Sequence, residues 1–200
     1  MARVEANDNY LYLQTLSSLF QELSDNSKEL SDIQELFVPI MHTILLIWTY
    51  SQYYNTPSRL VVLIREICNA VIDRCQNFVD GEKIFAFIKG EEPQEAHNKL
   101  QAALNTCTKF KEAYHEYKSK VRGQWKITSN ALFMRLDSFQ ERCHDVMQLT
   151  STILQFKKLD NIAIGNTKGE SLSASIQKVF TDFNDAVATF MTVNYDIMDI

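Results

Sequence analysis

The sequence predicts an all-α fold: an elongated antiparallel bundle of about five long helices plus a short helical piece. Three observations carry that expectation. Apolar residues recur at alternating spacings of four and three along most of the chain, which is the repeat of one helix face. Glycine and proline are scarce, 5 and 3 in 200 residues, so breaks are few and long helices are favoured over many short strands. No strand-like pattern competes with the helical one. Near-heptad seams with short connections imply coiled-coil-like packing at shallow crossing angles.

The first helix is expected over residues 4–23, with Leu13, Leu16, Phe20 and Leu23 on its inner face. Ser24-Asp25-Asn26-Ser27 then makes a polar break. Ser31, with Gln34 three residues on, has the form of a capping box that opens a second helix. Ile33, Phe37, Ile40, Ile44 and Ile47 form its seam, and Trp48 widens it. Pro39 should kink that helix or mark its true first turn. Pro57 suits the first position of a third helix, with Thr56 as its N-cap. That helix buries Leu60, Ile64, Ile67, Val71, Cys75 and Phe78, and Asp80-Gly81 ends it.

The apolar piece from Ile84 to Ile88 reads as one or two helical turns. Glu92-Pro93 opens the next long helix with an acidic first turn, which suits the positive end of the helix dipole. Ala96, Leu100, Ala103, Cys107, Phe110, Tyr114, Tyr117 and Val121 form its seam, and Gly123 closes it. The stretch from Asn130 to Phe156 follows, with Leu132, Leu136, Phe139, Cys143, Val146, Thr150 and Ile153 inward. After a loop holding Gly165 and Gly169, a last helix carries Leu172, Ile176, Val179, Phe183, Ala186, Phe190 and Val193. The chain is expected to be one helical segment over residues 1–200, divisible at most into sub-bundles at about 1–90 and 91–200. It stops at Asp199-Ile200 with neither cap nor polar tail, so it is expected to be cut from something longer.

Composition narrows the function. The chain is 46% hydrophobic and 22% charged, too apolar for disorder, and its net charge of −5 argues against a nucleic-acid partner. The basic cluster Lys109, Lys111, Lys118, Lys120, Arg122 and Lys126 is diluted by Glu112 and Glu116 and reads as a solvated face. No secretory signal follows Met1, and the apolar run from Leu36 to Tyr50 is too short to span a membrane. The cysteines at 68, 75, 107 and 143 lack zinc spacing, and Cys68 and Cys75 are too far apart on one helix for a disulfide. All four read as small core residues in a reducing compartment.

Two Glu-x-x-His motifs, Glu112/His115 and Glu141/His144, have the composition of di-metal carboxylate ligands. Such ligands must point into the bundle. At the helical rotation per residue, both pairs fall roughly 140–200° from the seam residues Phe110 and Phe139. They face outward, so no metal residues are assigned. Gly165-Asn166-Thr167-Lys168-Gly169 lacks the order of a phosphate-binding loop, because Lys168 precedes the second glycine and no strand precedes the loop. Cys143 and His144 are sequence neighbours about 100° apart on a helix, which discourages pairing. His42 reads as a core-edge residue, and Trp48, Tyr53, Tyr54 and Trp125 serve equally well as packing anchors or partner hot spots. No catalytic residue, cofactor-binding residue or cofactor is expected.

Several motifs, in order, carry a family resemblance. LLIWTYSQYYNTPSRLVVLIREICNAVI, from Leu45 to Ile72, resembles the N-terminal tail of dynein heavy chains, most of all the axonemal ones. FMRLDSFQERCHDVMQLTSTILQFKKLDNIAIGNTKGESL, from Phe133 to Leu172, resembles the same tail further on. Its Arg-Leu-Asp-x-Phe, Glu-Arg-Cys-x-Asp, Gln-Phe-x-Lys-Leu and Gly-x-Thr-Lys-Gly elements match in kind and spacing, as does Tyr195-Asp196-Ile197-Met198-Asp199. The variants look more like single-headed, inner-arm or outer-arm beta axonemal forms than the cytoplasmic chain.

The resemblance implies a structural and assembly segment of the tail, without the ATPase motor, and therefore without catalysis. It implies association with other dynein heavy chains, with dynein intermediate and light chains and with axonemal docking components, in the cytoskeleton of a cilium or flagellum. No nucleic-acid or membrane partner is implied, and no binding residue can be transferred position by position. The alternative is a free-standing helical-bundle binding protein, with or without a di-metal site.

Overall fold

A computed structural model describes residues 2–89, 92–122 and 124–159, together with residues 178, 179, 181, 182 and 185. The described residues hold seven helices and no strand: α1 (Ala2–Leu23), α2 (Leu30–Glu35), α3 (Phe37–Tyr50), α4 (Pro57–Val79), α5 (Gly81–Lys89), α6 (Pro93–Lys120) and α7 (Ser129–Leu159). The fold is an all-α bundle, as expected. Of the expected last helix, residues 178, 179, 181, 182 and 185 are helical and Val179 is exposed rather than inward. The glycine-rich loop and the other seam residues of that helix lie outside the described residues.

The ends of the helices differ from expectation in instructive ways. α1 buries Leu16 and Leu23, but Leu13 and Phe20 are exposed, and Tyr12 and Leu19 are half-buried in their place. Both stripes contain Leu16 and Leu23 at helical spacing, so periodicity cannot choose between them; stacking of Tyr12 on Tyr50 at 5.9 Å does. The cap of α2 is Glu29, two residues before the expected one: its N–H donates to Asp32 Oδ2 at 3.3 Å, the reciprocal contact of a capping box. Gln34 is occupied elsewhere, its amide donating to Thr106 Oγ1 at 2.7 Å and accepting from Lys109 Nζ at 2.6 Å.

A turn at Leu36 separates α2 from α3, which puts Pro39 in the first turn of α3, where its missing N–H breaks no helical bond. Pro57 is the first residue of α4, as expected. The Thr56 carbonyl accepts from the Leu60 N–H at 3.0 Å, but its hydroxyl makes no hydrogen bond, so the side-chain cap is not formed. At the end of α4 it is Asp80, with φ 52°, that takes the left-handed position, and Gly81 instead starts α5. Past α6 the corresponding position is Arg122, φ 50°, while Gly123 lies outside the described residues.

The chain forms two compact units. The first takes Met1–Phe78 and Ala103–Gln140. Ile33, Phe37, Ile40, Ile44 and Ile47 are all buried there, as are Leu60, Ile64, Ile67, Val71 and Cys75 of α4, with Phe78 half-buried. Aromatic rings link α3, α6, the connector after α6, and α7. Phe37 meets Phe110 at 5.3 Å, Phe133 meets Tyr114 at 5.1 Å, and Trp125 lies 6.0 Å from Tyr114 and 6.4 Å from Trp48. All of these pairs but Tyr114–Trp125 are edge-on, an arrangement that adds roughly 0.5–1.5 kcal/mol per pair beyond the area it buries. Leu30–Tyr50 has a mean hydropathy of 1.4, enough by length and composition for a membrane span. It is broken at Leu36, however, and turns Phe37, Ile40, Met41, Ile44 and Ile47 into this core.

The second unit takes Val79–Ala102 and the residues from Glu141 onward. Its described core is Val79, Ile84, Ile88, Ala96, Leu100, Cys143, Val146, Thr150 and Ile153. Thr150 is the one polar residue of the expected α7 seam; it is fully buried, and its hydroxyl donates to the Met147 carbonyl at 2.8 Å. All seven expected seam residues of α7 are buried, as are all seven in α6 and Val121 just past its end.

Candidate functional site

The groups that invited a chemical reading are positioned by the helices just described. Glu112, His115, Glu141 and His144 are all exposed, opposite the buried stripes of α6 and α7, as their helical phase requires. His144 Nε2 lies 3.0 Å from the side chain of Gln148, and the ring of His115 packs against Tyr114 and Phe133. Among the described residues no three His, Cys, Asp or Glu side chains converge as metal ligands.

The basic cluster is spent largely on internal contacts. Lys109 binds Gln34, Lys111 binds Asp137 and Gln140, and Lys118 donates to the Ile127 carbonyl at 2.7 Å. Lys120 pairs with Glu116 at 2.8 Å and lies 3.8 Å from the centre of the Tyr117 ring. These lysines therefore tie α6 to its neighbours and to itself rather than presenting a row of free charges. His42 is exposed and edge-on to Tyr117 at 6.2 Å. Trp48 and Trp125 are buried packing anchors, whereas Tyr53 is exposed, with the Arg59 guanidinium 3.9 Å from its ring centre.

A contact that sequence reading did not anticipate joins His97 to α7 in the second unit. Its Nδ1 lies 3.3 Å from Ser151 Oγ and 3.4 Å from Thr150 Oγ1. The Thr150 hydroxyl already donates to the Met147 carbonyl, and the arrangement forms a helix-to-helix tether.

Arg74 was also missed. It is buried at 4% exposure, donating from Nη1 to Asn26 Oδ1 at 2.6 Å and from Nη2 to the Lys28 carbonyl at 2.5 Å. The α1–α2 turn is thereby clamped to α4. In that turn the Ser27 N–H and hydroxyl both donate to Asp25, at 2.9 and 2.8 Å, and hold its carboxyl below the usual range. A cavity of about 330 Å³ borders Arg74, lined also by Phe20, Asn26, Glu66, Asn69 and Asp73. The available signal was positional: residue 74 falls on the 64/67/71/74 stripe of α4, where a charge must find buried partners.

Burial also raises two acids of the first unit. The Cys68 thiol is pushed up to about 12, chiefly by desolvation, and the Tyr114 phenol likewise to about 12. Packing holds both groups in their neutral forms.

The family profile described as dynein heavy chain, N-terminal region 1, matches residues 1–200. The chain belongs to the dynein heavy chain family. Over 204 residues it is 40% identical to the dynein beta chain of the flagellar outer arm of Chlamydomonas reinhardtii, covering 100% of this chain and 4% of that one. It is 34% identical to the ciliary dynein beta chain of Heliocidaris crassispina, over 99% of this chain and 4% of the relative. It is 29% identical to human dynein axonemal heavy chain 17, over 98% of this chain and again 4% of the relative. The chain thus spans about one twenty-fifth of the length of these curated relatives.

These matches place it among the heavy chains of cilia and flagella. The matched part is the N-terminal region of the heavy chain, not its motor, and this dynein segment is non-catalytic. In this segment the buried stripes and cross-helix tethers fix which faces of the described helices remain exposed.

Proposed function

We propose that this segment is an assembly element of a dynein heavy chain tail. It supports association of heavy chains, offers surface to intermediate and light chains, and helps anchor the motor to axonemal docking components. The observation that carries this reading is the match of the N-terminal heavy-chain region to all 200 residues. The side-chain arrangement supports it, because the candidate ligands and bases either face solvent or are tied into helix contacts. A tail must transmit load, and close-packed helices resist sliding because each displaced layer loses about 25 cal/mol per Å² of buried apolar area.

The test is recovery. A tagged copy of the 200-residue chain, expressed in ciliated cells, should be retained with axonemal arm subunits and released with them by high-salt extraction. If it remains with soluble protein and captures no heavy, intermediate or light chain of dynein, the proposal fails.

A further inference from the structure

Two buried thiols lie together in the first unit. Cys107 on α6 donates from Sγ to Cys75 Sγ on α4 at 3.9 Å, and Cys75 Sγ in turn donates to the Ala103 carbonyl at 3.8 Å. Neither residue is in a disulfide, and both are at 0% exposure. Their place along the chain gives the pair a consequence. The first unit ends its opening stretch at Phe78 and resumes at Ala103, so Cys75 stands just before the chain departs and Cys107 just after it returns.

We propose that Cys75 and Cys107 form a reversible disulfide that locks α4 to α6 under oxidising conditions. The oxidant is hydrogen peroxide, small enough to enter when the helices open locally. Cys75 reacts first, as the thiolate formed when the helices open, and Cys107, 3.9 Å away in the closed fold, resolves it. The thiolate attacks one peroxide oxygen, the O–O bond breaks, and the departing hydroxide takes a proton to become water. Cys107 then attacks the sulfenic sulfur of Cys75; the S–S bond forms, the S–O bond breaks, and a second water leaves. Two thiols have lost two electrons and two protons, and one peroxide has become two waters.

The bond closes a covalent loop over residues 76–106 and fixes the two points between which that stretch leaves and rejoins the first unit. Because the thiols are buried, the step is gated by local opening and is slow in the resting fold. The lock is therefore an oxidation sensor rather than a constitutive staple. It depends on the packing of the first unit and not on which subunits the tail binds.

The experiment is titration of the native chain with hydrogen peroxide, followed by alkylation of remaining thiols and non-reducing peptide mapping. The expected result is a linked peptide pair containing Cys75 and Cys107, two alkylated thiols at Cys68 and Cys143, and full reversal by dithiothreitol. The thermal midpoint of the oxidised chain should rise by about 5 °C. Cys68→Ala should leave the link intact, and Cys107→Ala should remove both the link and the rise. The mapping uses the unaltered chain, so it stands even if a variant folds poorly. Thiols that stay free, pair differently, over-oxidise without linking, or link only in denaturant would each overturn the proposal.

Discussion

Along α6 and α7 the buried positions keep one spacing while the side chains that fill them change in size. In the unit of Met1–Phe78 and Ala103–Gln140 those positions hold Cys107, Phe110, Tyr114, Leu136 and Phe139, with Phe133 and Trp125 packed beside them. In the unit that includes Val79–Ala102 they hold Ala96, Leu100, Cys143, Val146, Thr150 and Ile153. An aromatic side chain buries about 150–250 Å², well above what alanine can bury. The periodicity thus determines which face turns inward, whereas the size of the residues determines how strongly each layer is held. The first unit also has long-range polar tethers, including Arg65 donating to the Ala131 carbonyl at 2.9 Å and Arg135 donating to Asn69 at 2.6 Å. In the second the His97–Ser151 contact is of that kind.

Substitutions should reveal the contrast in order of size. Phe110→Ala, which removes a ring packed against Phe37 and Phe133, should destabilise the first unit by about 3–5 kcal/mol, read by urea unfolding. A loss under 1 kcal/mol would mean that the aromatic layer is not the main support of that unit. Val146→Ala, in the second unit, should cost about 2 kcal/mol, with hydrogen exchange accelerating in Val79–Lys89 and little affected in α3. Equal acceleration in both would merge the two regions into one cooperative block.

The pH dependence follows from Cys68. Burial raises the thiol from its ordinary 9.0 to about 12 in the fold. The folded state therefore retains a proton that the unfolded chain releases, so this stabilising contribution is complete below pH 9 and is lost as pH climbs towards 12. In Cys68→Ala the fall in stability between pH 9 and 11 should be shallower than in the parent chain. Parallel curves would show that the thiol does not feel that burial. The smallest effect is expected outside: Glu141→Gln with His144→Gln should change stability by no more than about 0.5 kcal/mol, because both side chains are exposed. A larger loss, together with stabilisation of the parent chain but not of the variant by added iron or manganese, would reopen the di-metal alternative.

Much of this architecture was legible in the sequence because a helix repeats. The stripe from Leu132 to Ile153 is buried as the spacing predicts, and the same phase turned Glu112, His115, Glu141 and His144 outward. Legibility stopped where several residues could satisfy the same local rule. Leu13 and Tyr12 are both compatible with a stripe through Leu16 and Leu23, and only the ring of Tyr50 selects Tyr12. Ser31/Gln34 and Glu29/Asp32 both suit a helix start, and Thr106 and Lys109 settle it by engaging Gln34. Arg74, His97 and the Cys75–Cys107 contact depend on residues far away in the chain, which no local pattern contains.

The central claim, that this helical segment acts in assembling a dynein heavy chain into its arm, is tested most directly by removing it. A full-length heavy chain lacking residues 1–200 should be expressed in place of the intact chain, and axonemal extracts should be sedimented through sucrose gradients. The account predicts that the shortened chain leaves the fraction holding the other arm subunits and sediments more slowly. Co-sedimentation with those subunits at the intact chain's position and yield would contradict it.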